Sequence, residues 1–242
     1  MEQIGNVLKF PEERTITQST ELNRDAGPTC KICDDFSWVV RNGKNMGRCK
    51  CQIAKIEEHK YKKLLKESAL DTLVDMTFEN YRPQNEVQKK ALEALSWQHR
   101  GYFLFGPVGT GKTHLMAASG LRAIAQNVQT SLVSVPKMLT LMRQSGREGA
   151  STDIEKLAIE ISYLCLDDLG KEKSTDWTME RLFILIDERY MRHRAGHGHT
   201  SVTSNYTLDT LKNRMDVAII DRIEGMCMPV FLDGESFRRH KL

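Results

Sequence analysis

Three sets of residues carry chemistry by their types and spacing. Gly106-Pro107-Val108-Gly109-Thr110-Gly111-Lys112-Thr113 has the spacing of a phosphate cradle. Glycines at 106, 109 and 111 let the backbone wrap a phosphate and aim its N–H groups inward. Lys112 can reach β- and γ-phosphates, and the Thr113 hydroxyl can ligate Mg²⁺. A helix opening at Lys112-Thr113-His114 would lend its positive dipole end, so the whole loop and His114 are candidate contacts to a nucleoside triphosphate. Downstream, Tyr163-Leu164-Cys165-Leu166 runs into Asp167-Asp168-Leu169-Gly170. A carboxylate at the end of such a strand can hold Mg²⁺ directly or through water, the role expected of Asp167. Asp168 stands where a second acid can polarise the attacking water. Taken alone an apolar run before Asp-Asp is common; its place after a P-loop is what gives it meaning. Thr200-Ser201-Val202-Thr203-Ser204 ends in Asn205, which in this setting would face the γ-phosphate and position water. A plain turn asparagine is the alternative.

The third set is Cys30, Cys33, Cys49 and Cys51. Two close pairs can complete a tetrahedral thiolate site suited to Zn²⁺. Four unliganded core thiols would need a core, and so short a segment has none. A redox Cys-x-x-Cys would sit before a helix in a βαβ unit, which this pattern lacks. With all four positions filled by protein, the expected zinc is structural.

These residues need elements to hold them. Tyr102–Phe105 reads as a buried strand and 114–125, rich in Ala, Leu and Met, as a helix, so the loop sits between strand and helix. Residues 130–135 and 228–232 read as further strands. Helices are expected over 86–98, from Pro136 to 144, over 153–159, 175–194, 208–215 and 217–224. The expected fold is α/β, a parallel sheet flanked by helices. Ahead of it, Ser37–Val40 and the turn signal Asn42-Gly43 suggest a zinc-ribbon-like hairpin. The expected organisation is an N-terminal tail at 1–28, a four-cysteine module at 29–52, a charged helix and linker at 53–84, and the nucleotide-binding domain at 85–242. Lys60, Lys62, Lys63 and Lys66 could touch nucleic acid, although a solvated face explains such a run as well. Phe78 and Tyr81 either anchor the connector or pack near a nucleotide base. The Met138, Leu139, Leu141, Met142 stripe reads as packing. His197 and His199 lack a third ligand and read as a solvated loop.

The chain has 242 residues and a formal net charge of +3, mild enough to demand no particular partner. No apolar run approaches a membrane span and 1–23 has no signal-peptide core, so a cytoplasmic protein without disulfides is expected.

The order of motifs resembles the AAA+ replicative helicase loaders of the DnaC/DnaI type, including phage-encoded versions, and the related IstB-like ATPases. The resemblance rests on Gly106–Thr113, Asp167-Asp168-Leu169-Gly170, Thr203-Ser204-Asn205, Ile220-Asp221-Arg222-Ile223 and Ser236-Phe237-Arg238. The cysteine module and the charged helix are similar to the N-terminal region of the DnaI-like branch. The resemblance implies an ATPase using ATP, Mg²⁺ and Zn²⁺. Asn205 would be sensor 1, Arg238 the sensor 2 arginine, and Arg222 a finger acting on ATP in the adjacent subunit, with Arg214 close by. Asp168 stands where many related ATPases have Glu. The implied partners are a hexameric replicative helicase, single-stranded DNA and further copies of the chain. Ser174 and Trp177 lie where the loaders contact single-stranded DNA, although Trp177 could equally pack in the core. An IstB-like transposition ATPase and a zinc-ribbon DNA-binding protein with a regulatory ATPase domain are the alternatives.

Overall fold

The computed structural model describes residues 29–41, 45–95, 101–146 and 151–238. The expected tail at 1–28 and the Asn42-Gly43 turn lie outside the described residues. The chain divides into two units, the smaller ending at Lys63 and the larger covering Leu64–Leu242. In the smaller, β1 (Trp38–Arg41) and β2 (Asn45–Arg48) form an antiparallel pair with Trp38 opposite Arg48. Helix α1 (Lys50–Glu67) starts inside the stretch expected for the four-cysteine module, so Cys51 lies in its first turn.

The larger unit runs α2 (Glu86–Leu95), β3 (Gly101–Phe105), α3 (Lys112–Ala125), β4 (Thr130–Ser134), α4 (Val135–Gly146), α5 (Ser151–Glu160), β5 (Tyr163–Leu169), α6 (Asp176–Arg194), β6 (His199–Ser204), α7 (Leu208–Lys212), α8 (Val217–Met226) and β7 (Cys227–Phe231). Its five strands are parallel in the order β4-β5-β6-β3-β7. Successive side chains on a strand point to opposite faces. Phe103, Leu164, Leu166 and Val202 therefore join a core with α4, α6 and α8, built on Met138, Leu185, Ile186 and Ile220. Tyr102, Leu104, Tyr163, Cys165 and Val230 join a second core with α2 and α3, built on Leu95, Leu115 and Met116. Helices on both faces explain why the strands read as continuous apolar runs.

The expected α/β sheet with flanking helices is present. The strand that carries the P-loop is not next to the one that carries Asp167; β6 lies between them. His199 is not in a solvated loop but opens β6, half-buried, while His197 is exposed. The N-terminus of α6 is fixed by a reciprocal cap between Thr175 and Thr178. Arg189 of α6 is 1% exposed. Its guanidinium donates to Thr200 Oγ1 at 2.9 Å, Ile159 O at 2.7 Å, Ile161 O at 2.5 Å and His199 O. That one side chain ties the end of α5 and the starts of β5 and β6 together. Among the described residues no helix is long and apolar enough to cross a membrane.

Candidate functional site

The glycine loop leaves β3 and turns into α3 with φ of +138° at Gly106, +87° at Gly109 and +93° at Gly111. All three are also demanded by close approach: a Cβ on Gly106 would lie 1.9 Å from Leu232 O. A Cβ on Gly109 would lie 2.0 Å from Ser236 Oγ, and one on Gly111 would lie 2.6 Å from Tyr81 Cε2. The loop is thus gripped from both sides. Tyr81 Oη donates to Thr110 O at 3.0 Å, and Phe237 N donates to Gly109 O at 3.0 Å. The rings of Tyr81 and Phe237 meet edge to face at 5.8 Å. Of the two roles open to Tyr81, anchoring the connector is the one its contacts describe. His114 is bonded to the same connector, through Nε2 to Thr77 O at 2.8 Å. Pro107, Val108 and Thr110 complete the loop, Val108 exposed and Thr110 buried.

Lys112 Nζ donates to Gly106 O at 2.8 Å and Pro107 O at 2.6 Å, folded back on its own loop. Burial draws its pKa down to about 8; Asp168 and Asp167 oppose that fall, and Lys171 and Arg238 add to it. Thr113 Oγ1 donates to Asp167 at 3.1 Å to Oδ1 and 3.2 Å to Oδ2. A hydroxyl and a carboxylate converging in this way form a donor set that suits Mg²⁺. Burial raises the Asp167 pKa, and hydrogen bonds from Thr203 and Thr113 work against the rise.

In the sequence Thr203 stands only as part of the Thr203-Ser204-Asn205 motif, with no role of its own. It is fully buried on β6. Its Oγ1 donates to Asp167 Oδ1 at 2.5 Å and accepts from Asp168 N at 2.9 Å. Between Leu166 and Leu169 the β5 strand carries one more residue than β6, whose partners are Val202 and Ser204. This is a β-bulge, with Asp168 in the left-handed region at φ +65°. The bulge turns Asp168 out of the strand, and the Thr203 hydroxyl takes the N–H that the ladder has lost. The Asp168 carboxylate pairs with Lys171 at 2.7 Å. Asn205 lies just past β6, half-buried.

The arginines divide in two groups. Arg238, exposed on the segment docked against the loop, is among the charges acting on Lys112. Arg214 lies over the Tyr206 ring at 4.3 Å, with Nη2 3.4 Å from Gly170 O. Arg222 is held on α6, its Nε 2.5 Å from Asp187 Oδ1 and its guanidinium 4.9 Å from the Phe183 ring centroid. Ser174 is exposed, whereas Trp177 packs against the core beneath Arg143, 4.8 Å from its ring centroid.

In the smaller unit the four thiol sulfurs of Cys30, Cys33, Cys49 and Cys51 lie within 4.8 Å of one another. Cys30 and Cys49 are 3.8 Å apart and Cys33 and Cys51 3.5 Å. Zinc–sulfur bonds of about 2.3 Å in a tetrahedron put sulfurs about 3.8 Å apart, so the cluster fits Zn²⁺. Backbone N–H groups of Ile32 and Cys33 draw the Cys30 thiol down to about 7, whereas burial raises Cys33, and the neighbouring Cys33 thiol together with burial pushes Cys51 up to about 12, so the fit to a metal rests on the spacing of the sulfurs.

The family model described as IstB-like ATP binding protein matches residues 49–242. The replicative helicase loader DnaI of Bacillus subtilis (strain 168) is 25% identical over 153 residues, 58% of this chain and 48% of that protein, so the match spans about half its length. The ATP-binding protein of insertion sequence IS5376 from Geobacillus stearothermophilus is 24% identical over 184 residues, 74% of this chain and 71% of that protein. The crystal structure of the DnaC helicase loader superposes with a TM-score of 0.60 at 23% identity, covering 66% of this chain and 98% of that one, and shares the fold. With its P-loop, its five-stranded parallel sheet and a family match over most of its length, the chain belongs to the IstB-like ATP-binding proteins.

Proposed function

We propose that the chain is an ATP-driven loader that binds a hexameric replicative DNA helicase and delivers it onto single-stranded DNA. The observation that carries this reading is the joining of a P-loop site with its hydroxyl–carboxylate set to a four-thiol module whose first pair lies ahead of the family region at 49–242. The names of two similar proteins, the DnaI and DnaC helicase loaders, support it.

In this reading Lys112 leaves the carbonyls of Gly106 and Pro107 for the phosphates of ATP. Thr113 and Asp167 hold Mg²⁺, which supplies charge neutralisation at the phosphate oxygens. Asp168, released from Lys171, polarises the attacking water and Asn205 positions it. Arg238 serves the ATP of its own subunit. Arg222, freed from Asp187, reaches the ATP of a neighbour, so hydrolysis is slow until copies assemble on the helicase. The module on Cys30, Cys33, Cys49 and Cys51, holding Zn²⁺, is the grip on the helicase.

The similarity to the insertion-sequence protein over 74% of this chain favours a second reading, a transposition ATPase acting on duplex DNA with a transposase. A pull-down with a hexameric replicative helicase separates the two. The loader reading expects capture by the wild type and its loss in Cys30→Ser/Cys33→Ser. No capture by the wild type removes the loader reading.

A further inference from the structure

We infer that the four-cysteine module is itself a single-stranded DNA site, stacking unpaired bases on Phe36 and Trp38 beside Arg48. Phe36 is 80% exposed and Trp38 48% exposed. Large aromatic rings left in water on so small a module are surfaces to be covered. Phe36 is held out on an ordered knuckle. The Asp34 N–H donates to Cys30 O at 2.9 Å and the Phe36 N–H to Cys33 O at 2.8 Å. The Asp35 carboxylate accepts from Thr29 N at 2.8 Å and Cys30 N at 3.1 Å. Asp34, Asp35 and Ser37, on either side of the ring, all take left-handed φ. Trp38 stands on β1 directly across from Arg48 of β2, which is also exposed, so ring and guanidinium share one face of the ribbon.

Charge selects the occupant. Residues 29–63 hold nine Lys or Arg against four Asp or Glu, a formal +5 in a chain whose total is +3. The two negative charges that four thiolates leave on a zinc ion do not reverse that sign. The grip on the helicase then lies on another face of the module, because a docked protein would bury a patch depleted of charge at its centre. Trp38 faces Arg48, and Phe36, although it follows the exposed Asp34 and Asp35, stands on a module of net positive charge; rings set beside such charge are the device for unpaired nucleotides, with stacking on the bases and electrostatics on the phosphates. Duplex DNA keeps its bases stacked and offers the rings nothing to cover. The site deepens the loader reading only through its single-stranded DNA, and it holds for a chain that never meets a helicase.

Anisotropy of a labelled oligothymidylate with the full-length, nucleotide-free chain tests this. Stacking on each ring predicts that Phe36→Ala/Trp38→Ala weakens binding at least about tenfold, while Phe36→Tyr/Trp38→Phe stays within about threefold. Zinc content and ATP binding should match the wild type in both. In a Trp97→Phe/Trp177→Phe background, Trp38 is the only tryptophan, and its emission should be quenched by the oligonucleotide. If the alanine variant loses its metal, the quench decides alone. Unchanged affinity in a zinc-loaded alanine variant, an unquenched Trp38, or duplex bound as tightly as single strand would each overturn the proposal. So would loss of helicase capture with oligonucleotide affinity intact, which would assign the face to a protein. Failure of helicase capture alone, with the quench present, removes the loader and leaves this site standing.

Discussion

Replacing Thr203 with valine removes one hydroxyl and little else, because the two side chains have nearly the same shape. That hydroxyl is fully buried and makes two bonds, one to Asp167 Oδ1 at 2.5 Å and one from the Asp168 N–H at 2.9 Å. A bond to a charged group contributes about 1.5–3 kcal/mol, and a buried N–H left without a partner costs about 1–3 kcal/mol. Valine no longer has to bury a hydroxyl, which offsets part of this, so a net loss of about 2–4 kcal/mol is expected. In a domain of this size that lowers Tm by roughly 5–12 °C. The kinetic effect is more specific. Burial already raises the Asp167 pKa and Thr203 holds it down. Without the hydroxyl the carboxyl keeps its proton more readily and competes less well for Mg²⁺. ATP turnover titrated with Mg²⁺ should show a half-saturating concentration raised by about tenfold, equivalent to about 1.4 kcal/mol. Thr203→Ser, which keeps the oxygen, should recover most of it. A valine variant with wild-type Tm and wild-type Mg²⁺ dependence would refute the reasoning that this residue sets both carboxylates.

Other consequences follow from the same geometry. Free Lys112 titrates at about 8, and bound phosphates keep it charged, so its pKa rises on binding. Affinity for a fluorescent ATP analogue should therefore be flat below that pH and fall toward about tenfold per pH unit above it; a flat profile to pH ~10 would contradict this. Arg189→Met strips donors from Thr200, Ile159, Ile161 and His199 at once. Urea melts should show a loss of about 3–5 kcal/mol, and a loss below about 1 kcal/mol would mean that the staple is redundant. Arg222→Ala should reduce turnover about 10³-fold with ATP binding nearly intact, because the finger acts in trans. Asp187→Ala, which only frees that arginine, should not slow turnover. If Arg222→Ala keeps full activity while Arg214→Ala loses it, the finger is Arg214.

What could be read from the sequence is what is local along it. Gly106–Thr113 lies between a strand and a helix, and a loop that needs positive φ at three glycines announces itself in eight residues. Leu164-Cys165-Leu166-Asp167 likewise reads as a buried strand ending in an acid. Contacts between distant segments were hidden. Thr203 looks like any strand threonine until β6 is placed between β3 and β5. The bulge at Asp168 is invisible because no glycine marks it. Tyr81 and Phe237 are separated by more than 150 residues, yet both close on the same loop. Arg189 sits among charged neighbours on α6 and reads as surface, but its guanidinium replaces water with three carbonyls and a hydroxyl. Trp177 was open between DNA and core, and its packing lies with the core.

The loader account is tested most directly on closed circular single-stranded DNA, which a ring helicase can enter only by opening. Helicase retained on the circle should be measured with ATP and the wild-type chain, then with Lys112→Ala. The account predicts retention with the wild type and near-background retention with the variant. Equal retention with and without the chain, or with the Lys112→Ala variant, would contradict it.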